Sequence, residues 1–192
     1  MQYLKSIVAD PGRARALWVA LLMAASAAFT LGVACAAPFA AFGAIAALTL
    51  PRRDALLLAA ALWLVNQTIG FTLLHYPSDG LTMVWGIVLG IVAVGATAAA
   101  QLAGRFLGTR RGIIAAAPAS FATAFVVYEG GLYIASAAAL GGTEAYAAAI
   151  VLRILAINAA AFVGLMLLGW VAERLGLSAA RSALAPRPAR PA

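Results

Sequence analysis

Twelve of the 13 basic residues in this 192-residue chain fall in four clusters, and the stretches between the clusters are almost wholly apolar. The clusters are Lys5, Arg13 and Arg15; Arg52 and Arg53; Arg105, Arg110 and Arg111; and Arg174, Arg181, Arg187 and Arg190. Hydrophobic residues make up 65% of the chain and charged residues 10%, against nearer half and a quarter in a soluble domain. That much apolar surface cannot be hidden in a globule of this size, so the chain reads as an integral membrane protein. A spanning helix needs about 20 apolar residues, so six spans use roughly 120. What remains is one membrane domain over 15–174, an interfacial segment over 1–14, and a Pro/Ala/Arg-rich tail over 175–192 with the composition of a disordered segment.

Punctuation residues divide the apolar stretches. The first span is expected over about Ala16 to Ala34, after a Pro11-Gly12 turn. Pro38 opens a second segment that ends at Leu50 and rises only about 20 Å, so it is short or tilted. Pro51-Arg52-Arg53-Asp54 is a turn in which Asp54 is expected to cap the third span, which runs to about Leu74. The turn His75-Tyr76-Pro77-Ser78-Asp79-Gly80 follows. The fourth span is expected over Leu81 to Ala103, with a basic loop from Arg105 to Gly112. The fifth covers Ile113 to Tyr133, and the sixth Ala145 to Ala172 after a break at Gly141-Gly142-Thr143.

Lys and Arg concentrate in cytoplasmic loops. Only an even number of spans with both termini in the cytoplasm places all four clusters on one side, because the other three connections contain no Lys or Arg. Ala34-Cys35-Ala36 looks like a signal-peptide cleavage site, and Leu31 to Cys35 is nearly a lipobox. Cleavage there would leave five spans and spoil the charge pattern, so span one is read as retained. The expected fold is an all-α integral membrane protein of six transmembrane helices.

Composition also excludes functions. The one lysine, Lys5, is not part of a Walker A loop. One histidine, His75, excludes a multi-His zinc site, and one cysteine, Cys35, excludes an internal disulfide. There is no G-x-S-x-G elbow. The net charge of +7 follows membrane topology rather than a nucleic-acid stripe.

Depth along each span sorts the polar residues. At 1.5 Å per residue, Cys35 and His75 lie about 30 Å from the basic ends of their spans, Glu129 roughly 25 Å and Arg153 roughly 30 Å. Asn66 and Gln67 lie around 18–20 Å deep. The non-cytoplasmic half therefore gathers Cys35, Asn66, Gln67, His75, Tyr76, Asp79, Tyr128, Glu129, Tyr133, Tyr146 and Arg153. Ionisable groups at such depth face a partner or a cavity. Glu129 and Arg153 read equally as the walls of an outward-facing pocket or as an ion pair clamping two helices. Tyr146 and Arg153, seven apart, share a helix face, as do Glu129 and Tyr133, four apart. Asn66, Gln67 and Asn158 also fit interhelical hydrogen-bond glue. His75 is either an interfacial side chain or a single axial ligand to a metal already held in an organic cofactor. Cys35 has the same two readings, the plainer one being a small apolar filler.

Small residues recur at spacing four. Ala16, Ala20, Ala24 and Ala28 form one face of span one, and Gly86 and Gly90 a G-x-x-x-G on span four. Such faces let another helix approach closely.

Six short spans, both termini inside, a short second helix, A-x-x-x-A steps on the first and polar residues in the outer half together resemble the S-components of energy-coupling-factor (ECF) vitamin transporters. The stretch Trp63-Leu64-Val65-Asn66-Gln67 through His75-Tyr76-Pro77 is most similar to the small BtuM-type cobalamin transporters. The resemblance implies a multi-pass protein of the bacterial inner membrane that binds a vitamin, cobalamin or another corrinoid, in an outward-facing pocket. It makes Ala16, Ala20, Ala24 and Ala28 a docking face for an ECF coupling protein with its ATPases. It makes Asn66, Gln67, His75, Tyr76, Asp79, Glu129, Tyr133, Tyr146 and Arg153 pocket candidates, with His75, or more weakly Cys35, approaching the corrin cobalt. In BtuM-type proteins a cysteine of the outer half can meet the cobalt; here the only cysteine follows span one, so histidine ligation is the alternative. No intrinsic cofactor is implied; the partners are the lipid bilayer and the vitamin, not nucleic acid. Two other readings stay open. One is a small intramembrane enzyme using His75 with Asp79 or Glu129 with Arg153. The other is a structural or assembly subunit whose small-residue faces are interfaces.

Overall fold

The computed structural model describes residues 11–33, 37–111 and 113–174. Among them the secondary structure is entirely helical: α1 (Pro11–Val33), α2 (Phe39–Thr49), α3 (Arg52–Thr72), α4 (Gly80–Arg111), α5 (Ile113–Ala135), a π-helical turn (Ser136–Leu140), a 3-10 turn (Thr143–Tyr146) and α6 (Ala148–Arg174). All but α2 of the six α-helices are long and apolar enough to cross a membrane.

The 11-residue α2 is too short to do so alone, at about 16 Å of rise. It survives because protein surrounds it: Phe39 to Ala46 and Leu48 are all buried. Its Ala-rich surface admits α3, α4, α5 and α6 at close range. At Gly43 a Cβ would sit 2.7 Å from the Thr97 hydroxyl of α4. Phe42, Ile45, Leu22 and Leu62 fill the centre with almost no exposure.

Contacts between helices fix which ends lie together. Arg15 at the start of α1 donates to the Asp54 carboxylate at the start of α3, 3.1 Å away, and Asn66 of α3 donates to Thr30 near the end of α1 at 3.2 Å. These two helices therefore run parallel, and α2 returns the chain between them. Trp18 Nε1 donates to Thr49 Oγ1 at the end of α2 (3.0 Å), and the Trp18 ring lies beside Gly169 near the end of α6. Gly104 of α4 faces Leu48 of α2 and Ser120 of α5. One end of the bundle thus collects Arg13, Arg15, Arg52, Arg53, Arg105 and Arg174.

Several boundaries differ from expectation. Pro11 opens α1 instead of ending a preceding turn, which suits a residue whose missing N–H is no loss in the first helical turn. Asp54 is not the α3 cap: Pro51 occupies that position without a side-chain bond, and Asp54 pairs with Arg15 from inside the first turn. The basic loop expected after Ala103 is helix as far as Arg111, since no proline interrupts it. Residues 1–10, 34–36, 112 and 175–192, which include Cys35, the tail and the first ten residues of the expected interfacial segment, lie outside the described residues; the last four of that segment, 11–14, belong to α1.

Candidate functional site

α5 and α6 touch only sparingly, and they part at the end of the bundle away from the arginine clusters. Between them and the end of α1 lies a cavity of about 730 Å³. From α5 come Tyr128, Glu129 and Leu132; from α6 come Ile150, Arg153, Ile154, Ile157 and Asn158. Gly32, Ala37, Leu89, Ala145 and Tyr146 complete the wall.

Each polar wall residue is positioned by something specific. Tyr128 is buried with its ring 5.9 Å from Phe39 at the start of α2. Glu129 is only 9% exposed, forms no ion pair with Arg153, and its carboxylate accepts no hydrogen bond from a described residue. Tyr146 is held edge-on against Tyr133, centroids 5.3 Å apart. Ahead of it, Ser136 Oγ donates to the Gly141 carbonyl at 2.6 Å, and Gly141 and Gly142 take positive φ of 73° and 83°, where glycine avoids the cost a side chain brings. Burial and the Glu129 carboxylate raise the Tyr146 phenol above its ordinary pKa. Asn158 does two things. It faces the cavity, and its buried Oδ1 accepts the Ala41 N–H at 3.2 Å, satisfying a donor in the first turn of α2. That is the glue expected of it.

The structure therefore brings Glu129, Tyr146 and Arg153 to one chamber and sets Tyr133 behind Tyr146 as a buttress. The remaining candidates lie elsewhere. Asn66 is buried against Thr30. Gln67 packs over Gly86, where a Cβ would meet its Oε1 at 2.9 Å. Tyr76 folds onto Gly70, with its ring edge to Phe71. Asp79 caps α4: Oδ1 accepts the Thr82 N–H at 3.0 Å and Oδ2 the Thr82 hydroxyl at 2.7 Å. Both carboxylate oxygens are engaged there, with no bond to His75. His75 is exposed and takes φ 55° where the chain leaves α3. No group of three or more His, Cys, Asp or Glu able to hold a metal occurs among the described residues.

The two small-residue faces are used differently. Gly86 and Gly90 pack within the molecule: Gly86 O accepts the Trp63 indole N–H at 2.7 Å, and a Cβ on Gly90 would meet the Trp63 ring at 2.6 Å. Ala16, Ala20, Ala24 and Ala28 are all exposed along α1.

The apolar wall was within reach of the sequence but was not identified from it. Ile150, Ile154 and Ile157 lie on the α6 face that carries Arg153, by steps of three and four; Tyr146, expected on that same helix face, instead sits in the 3-10 turn before α6, and the extended Ala147 breaks the helical spacing between them. Tyr128 and Leu132 lie likewise beside Glu129 on α5. Comparison with known proteins finds no matching family model, no matching curated protein and no matching solved structure.

Proposed function

We propose that this chain is a solute-uptake protein of the membrane that takes a small, vitamin-like organic molecule into the chamber between α5 and α6. The observation that carries the reading is the convergence of Glu129, Tyr146 and Arg153 on a cavity of about 730 Å³, within the range that encloses drug-sized ligands. The proposed topology has six passes, α2 being the short one, with both termini and the arginine-rich end in the cytoplasm of a bacterial inner membrane. The chamber then faces outward. The exposed alanine face of α1 supports docking on an energising partner of the ECF kind.

A corrinoid held through its cobalt by His75 is the finer expectation. Its support is the resemblance alone, since His75 is not among the residues lining the chamber. The enzymatic alternative has less behind it: Asp79 is committed to its cap, and no nucleophile–base–orienter set meets at the cavity.

The test is to purify the protein in lipid nanodiscs and identify by mass spectrometry any small molecule that travels with it. Replacing Ile154 with Trp should fill the chamber and displace that molecule. Retention of the same molecule by Ile154→Trp would overturn the proposal.

A further inference from the structure

Glu129 and Arg153 are opposite charges on facing walls of one chamber, and they do not pair with each other. Glu129 is buried, yet no described residue hydrogen-bonds to its carboxylate. The Glu129 carboxylate opens on the chamber rather than being sealed from solvent, and Arg153, exposed on α6, opens on it too, so each charge is available to a ligand that enters. A ligand with one charge would complement one wall and leave the other unmatched. Between the two charges the wall is aromatic and branched aliphatic: Tyr128, Leu132, Tyr146 and Ile154.

We infer that the chamber is built for a zwitterion: a compact molecule with an aromatic or aliphatic body, a cationic group directed to Glu129 and an acidic group directed to Arg153. This rests on the uptake reading above and names its substrate class. It also points away from an intact corrinoid, whose bulk exceeds the drug-sized ligands that cavities of this volume enclose.

The test uses matched probes on the full-length protein in nanodiscs. The first set is tryptophan, tryptamine and indole-3-propionate; the second is phenylalanine, phenethylamine and 3-phenylpropionate; cyanocobalamin is the corrinoid arm. In at least one set the zwitterion should bind at least about tenfold tighter than either singly charged analogue, a difference of about 1.4 kcal/mol. Glu129→Gln should weaken the amine-bearing probes and spare the acid. Arg153→Gln should weaken the acid-bearing probes and spare the amine. Circular dichroism and melting of each variant separate a binding loss from unfolding.

Four results would overturn the inference. If a singly charged probe or cyanocobalamin binds best and Ile154→Trp displaces it, the zwitterion class is wrong while the uptake reading stands. If no probe binds and a co-purified solute displaced by Ile154→Trp lacks one of the two charges, the outcome is the same. If neither probe nor co-purified solute responds to Ile154→Trp, both readings fall. If the reversed pair Glu129→Arg with Arg153→Glu regains stability lost in the single variants, with no change in any ligand, the two residues are a helix clamp.

Discussion

His75 shows how one side chain can look chemical in sequence and turn out to be placed by the backbone. It stands where α3 ends, in the left-handed region at φ 55°, while Tyr76 N–H reaches back to the Gly70 carbonyl at 3.0 Å. Glycine is the usual residue at such a position, and a β-carbon there costs roughly 1–2 kcal/mol. His75→Gly should therefore hold or raise the melting midpoint in detergent. Ligand retention should not change, and loss of a bound corrinoid would restore His75 as its ligand. Asp79 has a comparable local explanation. The Thr82 N–H and hydroxyl hold its carboxyl below its ordinary value of 3.8. A folded-state pKa below the unfolded one adds stability that is present above pH 3.8 and lost as pH falls through the lowered value. Asp79→Ala should thus melt lower than the parent near neutral pH, and the gap should close in acid. A gap that failed to narrow as the pH fell below 3.8, measured by thermal melts, would contradict the cap. Neither role was legible from composition or depth, because a turn residue and a pocket residue share the same membrane level.

Among the elements, α2 and the α3–α4 contact carry the clearest consequences. A G-x-x-x-G pair in sequence cannot say whether its partner helix is in the same molecule. Here Trp63 and Gln67 of α3 occupy the surface that Gly90 and Gly86 leave bare. A Cβ on Gly90 meets a rigid indole ring, whereas one on Gly86 meets the end of a flexible amide. Gly90→Ala should cost about 1–3 kcal/mol by overpacking, and Gly86→Ala less, read from reversible unfolding in mixed micelles. Trp63→Leu should relieve the Gly90→Ala defect, and equal costs at the two positions would dispute the packing described. The shortness of α2 was legible from Pro38 and Pro51. Its burial was not, since an apolar helix of 11 residues looks the same whether lipid or protein surrounds it.

At the scale of the molecule, the ends of the helices sort by charge. Arg15 with Asp54, Trp18 with Thr49 and Gly169, and Gly104 with Leu48 place the described arginine clusters at one end. The turn at Ser78 and the segment at Glu144 belong to the other. In a background carrying Cys35→Ala, Arg53→Cys and Arg174→Cys should react with an impermeant thiol reagent only from the cytoplasmic side. Ser78→Cys and Glu144→Cys should react only from the outside. Labelling of Arg53→Cys and Arg174→Cys from opposite sides would break the six-pass topology. Five helices long enough to span and one too short leave the parity of the passes to this measurement.

From sequence alone came the all-helical, membrane-embedded character, most helix positions and the gathering of arginines at helix ends, because hydropathy and charge act locally along the chain. Sequence also singled out Glu129, Tyr146 and Arg153, since charge at membrane depth is visible in one dimension; the helical spacing that tied Tyr146 to Arg153 did not hold, because Tyr146 lies in the 3-10 turn before α6. Only the tertiary structure decided that these three meet across an open chamber while Asn66, Gln67, Tyr76 and Asp79 are spent on packing and caps. That outcome depends on non-local packing: the short α2 lies against both α5 and α6, which touch each other little, and the Asn158 bond ties α6 to the first turn of α2.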